Sequence, residues 1–290
     1  MLLEQVEYVR PDSVDEALGL LAGHDGAAPL AGGQSLVNVL KNRVASVELL
    51  VDISSLSELR GIAQGGDGGL EVGACVTYDE LDRSAEVRAG HAILANVAGR
   101  IEDQQIRSKG TLGGNCCLSD PTNNLPPLLV ALDAIMRIRS SNTERVVPAV
   151  EFFKGYFSTA LEPGELLVSV AVPPLRPGGA GYASLAVAAD AKAIVRAAAV
   201  VRCNGRIEMA RVVLARVTHV PIRHKAMEDA LLGAEPTAEA VRAAAEVVGE
   251  GLEPVSDIHA SSGYRKKMAR VMAYRAVMDA IADRGSREAG

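Results

Sequence analysis

Two glycine-centred segments hold the residues most able to do chemistry. In "AGGQSL", Ala31, Gly32, Gly33, Gln34 and Ser35 set bare backbone beside a carboxamide and a hydroxyl. In "GTLGGNCCLSD", Thr111, Leu112, Gly113, Gly114 and Asn115 repeat that combination about eighty residues later. Glycine admits positive φ and lets a ligand approach the amide nitrogens closely, which is a common way of holding polyphosphates. The Ser35 and Thr111 hydroxyls add donors, so the two segments together suit the bracketing of a pyrophosphate. No lysine adjoins Gly33 or Gly114 as in a P-loop, and no G-x-G-x-x-G occurs, so nucleoside-triphosphate and Rossmann signatures are missing. A lone Gly-Gly is most often a turn. "GGDGG", Gly65 to Gly69, reads as one, a hairpin loop ahead of a strand.

The other reactive side chains form no such pattern. Cys75, Cys116, Cys117 and Cys203 contain no C-x-x-C, and the five histidines lack metal-ligand spacing. The cysteines are read as small buried packing groups and the histidines as surface or capping groups; metal binding is not expected. A net charge of −6 without a basic block, and 3% aromatic residues, argue against nucleic acid. No apolar run approaches the roughly 18 residues of a membrane span. The opening "MLLEQVEYVRPDS" lacks the pattern of a secretory leader, which leads to an expectation of cytoplasmic location.

The positioning elements follow from capping and periodicity. Ser13 and Glu16 have capping-box spacing ahead of a helix through Gly23, and Thr77 and Glu80 repeat it ahead of one helix over "LDRSAEVRAGHAILANVAGRI". "VELLVDIS", "GLEVGACVT", "AIMRIRS" and "ELLVSVAVPP" read as strands, and "LPPLLVALDA" as a short helix. The Pro/Gly run from Pro173 to Gly181 is the strongest linker signal, and 290 residues suit about two domains. Beyond it, "GYASLAV", "VRAAAVVR" and "IEMARVVLARV" read as strands. "TAEAVRAAAEVVGEG" and "GYRKKMARVMAYRAVMDAIADR" read as helices on one side of them, an α+β arrangement. The apolar stripe of the last helix, with Tyr264, Met268, Val271, Met272 and Arg275, suits packing on its own domain or a partner surface.

Taken in order, "AGGQSL", "IRSKGTLGGNCCLSDPTNNLPPLLVALDA" and "FFKGYFSTALEPGELLVSVAVPP" resemble the FAD-binding medium subunit of the molybdenum hydroxylases. That family includes carbon monoxide dehydrogenase, xanthine dehydrogenase and the bacterial N-heterocycle hydroxylases. The resemblance implies a vanillyl-alcohol-oxidase-type FAD-binding domain over residues 1–176, with subdomains of about 1–55 and 56–176. A smaller carbon monoxide dehydrogenase flavoprotein C-terminal-type domain over 177–290 would follow. It further implies that Ala31–Ser35 and Thr111–Asn115 surround the FAD pyrophosphate. Leu167 matches a position packed near the cofactor, although a plain core leucine is an equal reading. Two positions depart from the family pattern. Asn124 stands where an aspartate is usual, leaving Asp120 as a nearby carboxylate. Ala191 and Lys192 stand in place of aspartate and an aromatic residue, and a lysine beside the flavin would favour its anionic reduced form.

The function implied by the resemblance is electron transfer through FAD in this chain. A large subunit would carry molybdopterin cytosine dinucleotide and a small one two [2Fe–2S] clusters, in a dimer of heterotrimers. The external acceptor is expected to be a quinone, cytochrome or oxygen rather than NAD. No catalytic acid or base is assigned. Two other readings stay open at this level: a stand-alone flavin oxidoreductase, with Cys116 near enough to the second segment for covalent attachment, and a cofactor-free assembly subunit.

Overall fold

Apolar side chains at Val14, Ala17 and Leu18 recur on one face of helix α1 (Val14–Gly23), and burying that face begins the first layer. Ser13 caps the helix, its Oγ accepting from the Glu16 amide at 3.1 Å, while Glu16 reaches the Asp12 amide rather than completing the box. In the computed structural model, which describes residues 4–175, 177–188 and 192–288, α1 packs on a parallel sheet. Its strands β1 (Glu7–Val9), β2 (Ala27–Leu30) and β3 (Leu49–Asp52) lie in the order β1-β3-β2. Parallel neighbours require crossovers, and α1 and α2 (Leu36–Lys41) provide them. The first glycine segment is the turn from β2 into α2.

A second layer is antiparallel, ordered β4-β5-β10-β6-β7. Strands β4 (Ile62–Gln64) and β5 (Leu70–Gly73) form the hairpin that "GGDGG" predicts, closed by Gly65 N donating to Gly69 O at 2.9 Å. Helices α3 (Tyr78–Arg83), α4 (Ala85–Ala98), α5 (Gln104–Arg107), α6 (Leu112–Leu118) and α7 (Leu125–Ala131) follow. The single helix expected after Thr77 is two, because the Ser84 hydroxyl accepts from the Val87 amide at 3.2 Å and starts a new one. Strands β6 (Ile135–Arg139) and β7 (Glu144–Pro148), helix α8 (Ala149–Phe152), the small hairpin β8 (Phe153–Gly155) and β9 (Ser158–Thr159), and β10 (Leu166–Val172) complete the layer. His91 corrects the surface reading of the histidines. It is 1% exposed at a kink in α4, with Nε2 2.8 Å from the Pro173 carbonyl.

The C-terminal sheet is antiparallel: β11 (Gly179–Leu185), β12 (Val195–Asn204), β13 (Arg206–Ala215) and β14 (Ile222–Arg223). Helices α9 (Lys225–Leu231), α10 (Ala238–Ala245) and α11 (Ser262–Glu288) complete the chain. Period-2 alternation explains how "VRAAAVV" is buried on both faces. Val195, Ala197, Ala199 and Val201 join the core shared with α11, while Ala198 and Val200 join the core of the preceding domain. The stripe of α11 is turned onto its own domain at Met272 and Val277, both buried there.

The Pro173–Gly181 segment runs between sheets whose cores meet at Ala198 and Val200, and its last three residues are strand, not linker. Gly181 is needed there for contact: a Cβ would stand 2.0 Å from the Ala276 carbonyl of α11. Arg176, Ala191 and the side chains beyond 283 lie outside the described residues. Helix α7 is held at both ends by the C-terminal domain. Arg211 pairs with Asp133 at 2.6 Å past its C-terminus, and Tyr182 Oη donates to the Asn124 carbonyl at 2.9 Å before its first turn. Gly181→Ala is expected to destabilise the protein by about 1–3 kcal/mol through overpacking, measured as a lower thermal midpoint.

A cleft between two glycine segments

Closest approach defines the site. A Cβ at Gly32 would lie 1.9 Å from the Lys109 carbonyl, so only glycine lets the first segment touch the start of the second. Gly33 turns the chain in the left-handed region, φ 70°, and its carbonyl accepts from Val37 at 3.1 Å to open α2. The amides of Gly32, Gly33, Gln34 and Ser35 have no acceptor among the described residues. They line one side of a cavity of about 310 Å³. Orphan amides beside an open cavity call for an anionic or strongly accepting partner.

The second segment behaves differently, and this corrects the expectation that both segments offer free amides. Leu112 N donates to Val76 O at 2.9 Å and Gly113 N to Ala74 O at 2.8 Å. Thr111, the cap of α6, accepts the Gly114 amide on Oγ1 at 3.0 Å and the Asn115 amide on its carbonyl at 3.0 Å. The amides of Leu112 to Asn115 are spent on folding; what they present is shape. Leu112 and Gly113 are buried beneath the cavity, where a Cβ on Gly113 would meet the Ala74 Cβ at 2.6 Å. Gly114 is exposed and leaves the opposite wall bare, and Thr111 and Asn115 also line it. Asn115 Nδ2 donates to Tyr78 Oη at 3.0 Å, whereas its buried Oδ1 has no partner among the described residues. Tyr78, Cys117 and Asn123 line the cavity as well. Sequence reasoning passed over Tyr78 and Asn123 and read Cys117 as a packing group, although Tyr78 opens the helix that the Thr77 box announces.

Adjacent cysteines on a helix point about 100° apart. Cys116 is therefore 0% exposed in the core while Cys117 reaches the cavity, so Cys116 cannot serve as the covalent anchor. Burial pushes the Cys117 thiol up to about 12, far from the thiolate a nucleophile needs. Leu167 is 3% exposed, paired with Ile138 inside the sheet, and is a core leucine.

The remaining candidates meet at the loop after α6. Asp120 accepts from the Thr122 amide at 2.8 Å and hydroxyl at 2.7 Å, and pairs with Lys192 Nζ at 3.2 Å. Lys192 is thus not a free cation. Asn124 Oδ1 accepts from Arg196 Nη2 at 2.9 Å, and Arg196 Nη1 also donates to the Thr122 carbonyl. Burial works to raise the Asp120 carboxyl, but the Thr122 hydrogen bonds and the Lys192 charge outweigh it and hold the group below its ordinary 3.8.

Comparison with known proteins agrees with this geometry. Residues 4–175 match the model of the FAD binding domain in molybdopterin dehydrogenase, and residues 180–280 that of the CO dehydrogenase flavoprotein C-terminal domain. The chain belongs to the FAD-binding medium-chain family of the molybdenum hydroxylases. It is 36% identical over 281 residues to the carbon monoxide dehydrogenase medium chain of Hydrogenophaga pseudoflava, covering 96% of this chain and 97% of that one. It is 35% identical over 279 residues to the 6-hydroxypseudooxynicotine dehydrogenase complex subunit alpha of Paenarthrobacter nicotinovorans, covering 95% and 94%. Among solved structures, quinoline 2-oxidoreductase of Pseudomonas putida superposes with a TM-score of 0.93 at 34% identity, covering 97% of this chain and 99% of that one. The α+β order of FAD-binding domain and flavoprotein C-terminal domain is that of the family, and the chain is an FAD-binding oxidoreductase subunit.

The residues present fit FAD: amides without an acceptor among the described residues on one wall, and on the other the unpartnered Asn115 Oδ1 and the bare backbone of Gly114, where a Cβ would press on the capping Thr111 Oγ1 at 2.8 Å. Gly32→Ala is expected to part the two segments and cut FAD retention at least about tenfold, ~1.4 kcal/mol. Acid-released flavin after gel filtration reads this, with the exposed Gly19→Ala as control. Because the folded Asp120 carboxyl titrates below the unfolded one, its contribution to stability is present above about 3.8 and lost as pH falls through the folded value. Asp120→Asn is expected to flatten the acid limb of a thermal-midpoint against pH curve.

Proposed function

We propose that the chain is the electron-transferring FAD subunit of a heterotrimeric molybdenum hydroxylase. It takes electrons from the [2Fe–2S] clusters of a small subunit and delivers them to an external acceptor, a quinone, cytochrome or oxygen. A large subunit with molybdopterin cytosine dinucleotide acts on the substrate, two heterotrimers pair, and the complex works in the cytoplasm. Bound FAD supplies the electron-accepting and electron-donating chemistry; the protein supplies position and electrostatics.

In this reading the amides of Gly32, Gly33, Gln34 and Ser35, with the Ser35 hydroxyl, bind the pyrophosphate where Ala31 brings the strand to its end. Thr111, Gly114 and Asn115 shape the facing wall. Leu112, Gly113 and Leu167 support that wall from the core. Asp120, Asn124 and Lys192 frame the loop at its far side. The observation that carries the reading is the run of unpaired amides at Gly32–Ser35 facing a wall with no side chain at Gly114. The absence of a helix among the described residues long and apolar enough to cross a membrane suits a complex of this kind.

The complex purified without denaturant from its host is expected to show a flavin absorbance spectrum. It should release noncovalent FAD near one per chain and bring with it iron–sulfur and molybdenum-bearing polypeptides. An intact complex without flavin would overturn the cofactor assignment. FAD on a chain that purifies alone would overturn the subunit assignment.

A further inference from the structure

Beside the pyrophosphate cleft lies a second cavity, of about 470 Å³, at the junction of the two domains. The two adjoin at consecutive residues, since Asn123 lines the first and Asn124 the second. Tyr182, Ser184 and Arg100 contribute to its polar walls, and so does Arg196, although only 5% of that residue is exposed. Strand parity puts Arg196 there. On β12 it shares a face with Ala198 and Val200, which pack into the FAD-binding domain, rather than with Val195 and Ala197.

Its hydrogen-bond partners among the described residues are neutral. Arg196 donates to the Thr122 carbonyl and to Asn124 Oδ1, and its buried Nε has no partner among the described residues. A buried cation without a carboxylate is costly to keep. Lys192, by contrast, is mostly exposed and already paired with Asp120. At this end of the site Lys192 and Asp120 cancel, Arg100 is exposed to solvent, and the buried guanidinium of Arg196 has no carboxylate partner among the described residues.

Resting on the FAD assignment above, we propose that Arg196 is the positioning residue of this end of the cofactor site. Its fork fixes the 120–124 loop through Thr122 and Asn124, and its uncompensated charge raises the reduction potential of the flavin. A fixed, buried cation favours the state that has gained negative charge on reduction. The asparagine at 124 is part of the device, because an aspartate there would neutralise the guanidinium it now only orients.

The test is a spectroelectrochemical titration of the purified holo-complex, with dithionite as the two-electron reductant and a reference dye, alongside the FAD content of each sample. Arg196→Gln is expected to lower the flavin reduction equilibrium at least about tenfold, ~30 mV for two electrons. Asn124→Asp is expected to shift it the same way in the fraction that holds FAD, and Arg196→Lys, which keeps the charge, to stay near the parent value. Should Arg196→Gln not fold or not hold FAD, Asn124→Asp decides. Parent potentials in flavin-loaded Asn124→Asp would overturn the proposal while leaving the FAD assignment standing. A parent complex without flavin would instead overturn that assignment itself.

Discussion

The backbone contact between Gly32 and the Lys109 carbonyl is the constraint on which the site depends. It joins a turn of the parallel layer to the chain entering α6 at a separation no side chain permits. Around that contact the walls have opposite chemistry. The first segment leaves its amides unpaired, while the second is stitched to residues 74–76 and offers a smooth surface. A cleft with two donor-rich walls would collapse onto water or onto itself; one donor-rich wall and one satisfied wall keep it open and selective for an acceptor.

The second organising feature is the grip on α7. Its core side chains pack with Ala198, Val200 and Val213 from the C-terminal sheet, so one apolar cluster crosses the domain junction. Ion pairs and hydrogen bonds at both ends of the helix add direction to that packing. Asp133, at φ 53°, adopts the left-handed region to reach Arg211, a local strain sustained by its surroundings.

Much of this was legible in the sequence because it rests on local rules. Thr77 and Glu80 form the full capping box, "GGDGG" is a hairpin loop, and the β-branched runs "VRAAAVVR" and "IEMARVVLARV" are neighbouring strands. The glycine segments were visible as well, through spacing and side-chain type. What the sequence could not separate was glycine used for a ligand from glycine used for packing: Gly113 and Gly114 are neighbours, yet one touches Ala74 and the other faces the cavity. Nor could it pair Lys192 with Asp120 or Arg196 with Asn124, since those contacts span more than seventy positions and exist only once the domains meet.

The stitching of the second segment bears on the order of maturation. Because the amides of Leu112 to Asn115 are paired within the polypeptide, the backbone of that wall needs no guest to acquire its form. On this side of the cleft a ligand meets a surface whose backbone is already ordered, and what it adds there is contact.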